Sequence, residues 1–172
     1  ELCPLDDNDL NQYIKTYQPS LSESKVRKLH DKIKAHKDLR ALSKIPLFLA
    51  LYLSLQNNQM TISSRSALIE MYLKTLLNPE EFRDFEIDDF NVHSLRNIIE
   101  KTAFDALERE EIGLKESDII EAAIPYSNTN SSYIINACLK RGLLSRTSMI
   151  HLEFPFPIIQ EYLAANYLIK NE

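Results

Sequence analysis

Four histidines, His30, His36, His93 and His151, and two cysteines, Cys3 and Cys138, are the side chains in this sequence best suited to metal, general-base or nucleophilic chemistry. Their spacing argues against each use. No two histidines stand four residues apart, the separation that would put both on one helical face for a metal ion. The cysteines lack metal-ligand spacing, and Cys138 sits among the apolar residues Ile135, Ala137 and Leu139 of a helical pattern. The carboxylate pairs Asp6/Asp7, Glu80/Glu81, Asp88/Asp89 and Glu110/Glu111 fall at helix starts and loops, where solvated charge suffices to explain them. Glycine excludes more. With only Gly113 and Gly142, the chain contains neither the glycine-rich phosphate loop nor the dinucleotide turn, both of which need clustered glycines to bring backbone N–H groups against phosphates. The residues therefore predict no catalysis, no metal and no cofactor site within this chain.

At 172 residues, 44% hydrophobic and 26% charged, the sequence is of the ordinary globular class. Its two cysteines read as reduced thiols of a cytoplasmic protein. The most apolar run, 46–55, is far shorter than the roughly 20 residues that span a bilayer, so it is expected to be a buried helix rather than a membrane segment. A start at Glu1 rather than Met suggests a fragment. The net charge is −5: residues 1–86 hold 12 basic and 12 acidic side chains, so the whole acidic excess lies in the second half.

Low glycine and long periodic segments predict a mainly α protein. Asp6 caps a helix over 7–17 whose apolar stripe is Leu10, Tyr13, Ile14 and Tyr17. Ser20 to Glu23 has the capping-box pattern for a second helix, ending near residue 36, with Val26, Leu29 and Ile33 inward. Its other faces are basic, with Lys25, Arg27, Lys28, Lys32, Lys34 and Lys37; a solvated face and a phosphate-facing surface both fit. Pro46 suits the first position of a helix over 46–56, where its missing N–H costs nothing. Ser63 or Ser64 caps a helix to about residue 77, with Leu68, Met71, Tyr72, Thr75 and Leu76 inward. The acidic stretch after Asn78 and Pro79 marks the boundary between two subdomains, 1–85 and 86–172.

The second subdomain opens with a helix over 91–110, stopped by Gly113, with Leu95, Ile98, Ile99, Thr102, Ala103, Ala106 and Leu107 on one face. After 116–123 come a helix over 131–140, Gly142 as a left-handed C-cap, a strand over 143–146, and a strand in which Ile150, Leu152 and Phe154 alternate with Met149, His151 and Glu153. A final helix follows Phe154-Pro155-Phe156-Pro157. The expected fold is thus a helical bundle followed by a winged-helix domain of three helices, a β-hairpin wing and a closing C-terminal helix.

Three groups of residues carry a resemblance. Leu2-Cys3-Pro4-Leu5 with Leu10 and Tyr13-Ile14 forms the first. The second is Leu42-Ser43-Lys44-Ile45-Pro46-Leu47-Phe48-Leu49, followed by Ser64-Arg65 and Ile69-Glu70-Met71-Tyr72. The third, and most specific, is Gly142-Leu143-Leu144 with Phe154 and Gln160-Glu161-Tyr162-Leu163-Ala164-Ala165. Together they resemble the helical and winged-helix regions that follow the nucleotide-binding core of NACHT-type STAND signalling ATPases. The resemblance implies a regulatory module that couples nucleotide state, ADP closed and ATP open, to conformational switching and oligomerisation in signalling or immune defence. It also implies an upstream nucleotide-binding domain and a downstream sensor domain in the same polypeptide, with ATP or ADP and Mg²⁺ bound by the parent rather than by these residues. Pro46 matches the proline that packs on adenine. Phe156 stands where the family places a histidine that contacts the β-phosphate, and phenylalanine cannot donate that hydrogen bond. Closure then rests on packing, or another cation such as Arg146 or Lys44 replaces the contact; His151 lies on the outward face of its strand.

Two other functions fit parts of the pattern. A winged helix can read DNA through the helix at 131–141, but Lys140 and Arg141 are its only phosphate partners and its subdomain is acidic, which predicts no nucleic-acid binding. A helical protein–protein adaptor would use Phe82, Phe85 and Phe90 in the acidic stretch; the same rings could instead pin the subdomains.

Overall fold

The computed structural model describes residues 5–57, 62, 64–78, 92–126 and 131–172. The expected boundary at 85/86, the three phenylalanines of the acidic stretch and Cys3 lie outside the described residues. The protein is mainly α and divides into two compact units, Glu1–Tyr72 and Leu73–Glu172.

In the first unit, helix α1 (Asp7–Tyr17) is fixed by Asp6, whose carboxylate accepts from the Asn8 and Asp9 amides at 2.7 and 2.8 Å. The Asp9 carboxylate accepts in return from the Asp6 amide at 3.1 Å, a reciprocal capping box. Leu10 and Ile14 are buried, whereas Tyr17 turns its ring outward and bonds Ser54 through its hydroxyl at 2.9 Å. Helix α2 (Glu23–Ala35) begins differently from its sequence pattern. The chain is still turning after Pro19, with the Leu21 amide on the Gln18 carbonyl, so Ser20 cannot cap. Ser22 takes the cap position without a side-chain bond to the backbone, its hydroxyl pairing instead with Ser24. After α3 (Lys37–Ser43), helix α4 (Pro46–Asn57) starts on Pro46 as expected and buries Phe48, Leu49, Tyr52 and Leu53.

Helix α5 (Arg65–Leu76) is capped by Ser64, whose hydroxyl accepts from the Ala67 amide at 3.2 Å. Its buried stripe runs through Leu68, Ile69, Tyr72 and Leu73, and Thr75, expected inside, is exposed. Apolar residues on both flanks of the stripe made the rotation ambiguous; the branched Ile69 and Leu73 take the inside rather than the hydroxyl of Thr75. Tyr72 packs edge-on against Phe48, ring centres 5.6 Å apart.

The second unit is built on helix α6 (Val92–Glu108), which buries Leu95, Ile98, Ile99, Thr102, Ala103 and Ala106, as its periodicity predicts. Its end departs from expectation. Glu110 (φ 58°) makes the left-handed turn that ends the helix, three residues before Gly113 (φ 91°), and the Glu110 and Glu111 amides return to the Leu107 and Ala106 carbonyls. Gly113 serves the next step: strand β1 (Leu114–Lys115) passes so close to the following sheet that a Cβ at Gly113 would lie 2.7 Å from the Leu152 carbonyl oxygen.

Helices α7 (Glu116–Ala123) and α8 (Ser131–Lys140) follow, and α8 ends on Gly142 (φ 67°) with the Leu143 amide on the Cys138 carbonyl. Strands β2 (Ser145–Arg146) and β3 (His151–Glu153) complete an antiparallel sheet of order β1-β3-β2, pairing Leu114 with Leu152 and Arg146 with Leu152. The hairpin is shorter than its alternation suggested. Leu143 and Leu144 are buried ahead of β2, and Ile150 is 61% exposed at the tip while Leu152 and Phe154 point inward. Strand β1 carries no periodic signal, since two residues cannot alternate visibly. Helix α9 (Pro157–Asn171) closes the chain along α6, with the Phe104 and Tyr167 rings meeting at 5.2 Å between centres.

Glu110 and Gly113 are strained and unstrained users of the same backbone region. Replacing Glu110 by Gly should raise stability by about 0.5 kcal/mol, the left-handed penalty relieved less the unfolded-state entropy of glycine. Gly113→Ala should lower stability by at least ~2 kcal/mol through strain and the clash with β3. Urea unfolding midpoints check both.

Candidate functional site

Helix α9 begins with Phe156 in its N-cap position and Pro157 at the first turn, which brings Gln160 onto the buried stripe between Ile159 and Leu163. A polar amide there must find partners, because an unpaired one costs several kilocalories in an apolar setting. Gln160, 2% exposed, finds two in the turn between α6 and β1. Its Nε2 donates to the Glu111 carbonyl at 3.1 Å, and its Oε1 accepts from the Gly113 amide at 2.9 Å. The side chain thereby clamps the backbone on both sides of Ile112.

Charges brace the same turn. The Glu111 carboxylate meets Lys115 at 2.5 Å and Arg109 at 3.2 Å, and the Lys115 ammonium holds it below its ordinary range. Arg109 also reaches Asp118 of α7 at 2.6 Å.

The far end of α9 has a second anchor. Glu100 of α6 is 1% exposed, yet its carboxylate is met by Arg96 at 2.8 Å and by Lys170 of α9 at 2.5 Å. A buried carboxylate is tolerated on those terms, and losing one cation would leave its charge uncompensated. Beside it lies a groove of about 380 Å³, bordered by His93, Asn97, Tyr126 and Tyr167. Lys101 stands 5.9 Å above the Tyr167 ring and bonds Asp105, which raises the lysine's pKa.

The residues singled out from sequence fall in separate units. Pro46 is half-buried at the first position of α4, between exposed Lys44 and Leu47, the latter 42% exposed. Phe156 is half-buried at the head of α9. Arg146 pairs with Glu116 and donates to the Met149 carbonyl at 2.7 Å. His151 is exposed on β3, its outward placement as the alternation indicated. The buried Cys138 thiol is pushed up to about 12 by desolvation, which makes it a packing residue at neutral pH. Tyr162, grouped with the motif, is half-buried, while its neighbour Leu163 is fully inside.

Among the described residues no three His, Cys, Asp or Glu side chains gather where they could hold a metal ion, and no helix is long and apolar enough to cross a membrane. Helix α8 turns Ile134, Ile135, Ala137 and Cys138 inward and leaves Ser132, Asn136 and Lys140 exposed. That face offers a duplex little positive charge.

Sequence reasoning assigned no role to Gln160 or Glu100. Each had a signal: a long polar residue set in an apolar helical stripe, Gln160 beside Ile159 and Leu163, Glu100 between Ile99 and Ala103. No protein-family profile matches the chain, and no curated protein matches it.

Gln160→Leu keeps the volume but strands the Gly113 N–H and the Glu111 carbonyl, so stability should fall by about 2–4 kcal/mol. Chemical denaturation measures this, and an unchanged midpoint would contradict the clamp. Cys138 should resist alkylation at neutral pH until the chain unfolds, as peptide-level mass spectrometry of native and denatured samples would show.

Proposed function

We infer that this chain is the regulatory helical and winged-helix module of a NACHT-type STAND ATPase, in which nucleotide exchange on an upstream domain drives a change of packing. The observation that carries this reading is the order of parts in the second unit. A long helix, a short strand, two helices and a hairpin, with the first strand beside the last, is an order of parts that supports reading this unit as a winged helix. Here α9 seals it through the same Gln160-Glu161-Tyr162-Leu163-Ala164-Ala165 segment that carries the resemblance.

Three further observations support it. Pro46 and Leu47 present a rigid, partly exposed apolar step at the head of α4, the kind of surface a flat purine can lie against. Phe156 occupies the head of α9, so the closed state is held by apolar packing there rather than by a bond to phosphate. Arg146 is already engaged by Glu116, which leaves Lys44, exposed two residues before Pro46, as the cation placed to approach a nucleotide.

In such a switch the nucleotide acts only through a difference in contacts between two packings of rigid parts. The module itself performs no chemistry; it is the moving half of a nucleotide sensor, and oligomerisation follows release. In the whole polypeptide, replacing bound ADP by a non-hydrolysable ATP analogue should speed amide exchange at the heads of α4 and α9 by about tenfold or more, a coupling of ~1.4 kcal/mol. Identical exchange in the two nucleotide states would overturn the reading.

A further inference from the structure

Between residues 22 and 44 the sequence carries eight basic and three acidic side chains, and α2 divides them unevenly between its two flanks. On one flank the charges are matched: Lys34 and Arg40 both reach Asp7, at 2.8 and 3.8 Å, and Lys15 reaches Glu23 at 3.5 Å. The Lys34 contact holds the Asp7 carboxyl below its ordinary value. The other flank has no such compensation. Lys25, Lys28 and Lys32 line a groove of about 280 Å³ together with Gln18, Leu29 and Gln56. Among the described residues Lys25 and Lys28 are exposed and have no carboxylate partner, and Lys32 donates to the neutral Gln56 side chain, at 3.0 Å, rather than to a carboxylate. Asp31, the nearest acidic residue in sequence, does not line the groove.

We propose that this groove is a binding site for a chain of linked phosphates. The spacing selects that chemistry. Helical rise sets the three lysines about 4.5 and 6 Å apart along the axis, too far for one phosphate to meet all three but suited to several in a row. Each ammonium is a point charge on a flexible stem, which suits densely charged phosphate oxygens without demanding one fixed geometry. The Gln56 amide and the Leu29 side chain give the groove a neutral wall against which the lysine stems can lie.

A nucleic-acid strand fits less well. The stripe reaches only about three phosphates of a strand at ~3.4 Å rise, and among the described residues no aromatic ring borders the groove to stack a base. The ligand chemistry is shared by inorganic polyphosphate and by the triphosphate tail of a nucleotide. The site lies in the first unit, needs no Mg²⁺ and is independent of the proposed nucleotide core.

Titration calorimetry of the whole 172-residue chain with sodium tripolyphosphate, without Mg²⁺ and at low salt, tests this. Saturable one-to-one binding is expected, weakening with salt along a logarithmic slope of about −2 to −3 as the lysines release counterions. The pair Lys25→Gln with Lys28→Gln should lose about tenfold in affinity, while Lys34→Gln on the opposite flank leaves it unchanged. Glutamine and lysine have similar helix propensity, and circular dichroism verifies that the variants stay folded. ATP, which presents three phosphates with a base attached, should bind no more tightly than tripolyphosphate, and orthophosphate should bind at least about tenfold more weakly. Absence of saturable binding, equal affinity of the double variant, a base-dependent gain with ATP, or tighter binding of a single-stranded oligonucleotide would each overturn the proposal.

Discussion

The second unit depends on the seam between α6 and α9. The Phe104 and Tyr167 rings meet across it, but apolar contact alone would let one helix slide or rotate on the other. Two polar anchors prevent that. Gln160 fastens the head of α9 to the turn that follows α6, and Lys170 fastens its tail to the buried Glu100. Each anchor is directional, and each leaves an uncompensated buried group if broken, so the seam holds one register. The sheet inherits its place from this seam. Gly113, held by Gln160, is the residue whose missing side chain lets β1 approach β3.

A body fixed in this way is suited to move as a unit, which the proposed nucleotide-driven switch requires. Signals pass between domains when rigid parts exchange one packing for another, not when each part deforms a little. The proposed regulatory role therefore rests on the same interactions that stabilise the second unit. In that proposal Phe156 stands where the resembled family has a phosphate-contacting histidine, and a bistable packing can be biased by apolar contact as well as by a hydrogen bond.

Much of the fold was legible in the sequence, for identifiable reasons. The Asp6 cap, Pro46 at the head of α4, the α6 stripe and Gly142 at the end of α8 each depend on a few adjacent residues with one favoured geometry, so local chemistry sufficed. What failed depended on distant partners. Glu110 takes a left-handed turn that a glycine three residues later advertised, because Gly113 was already required by the approach of β1 to β3. Ile150 looked inward by alternation but lies at a hairpin tip with nothing to pack against. Of the candidate site, Pro46 was placed by its own geometry and Phe156 by resemblance alone. The roles of Gln160 and Glu100 appear only once α9 lies against α6.

The central proposal is that these units serve a nucleotide-binding engine in the same polypeptide. The most direct measurement is the coding sequence that precedes Glu1 in the same reading frame. The proposal predicts a segment within a few hundred residues that contains a glycine-rich phosphate loop ending in Lys-Ser or Lys-Thr, followed by an acidic magnesium-binding strand. A reading frame that opens at this point, or one whose upstream residues contain no phosphate-binding loop, would contradict it.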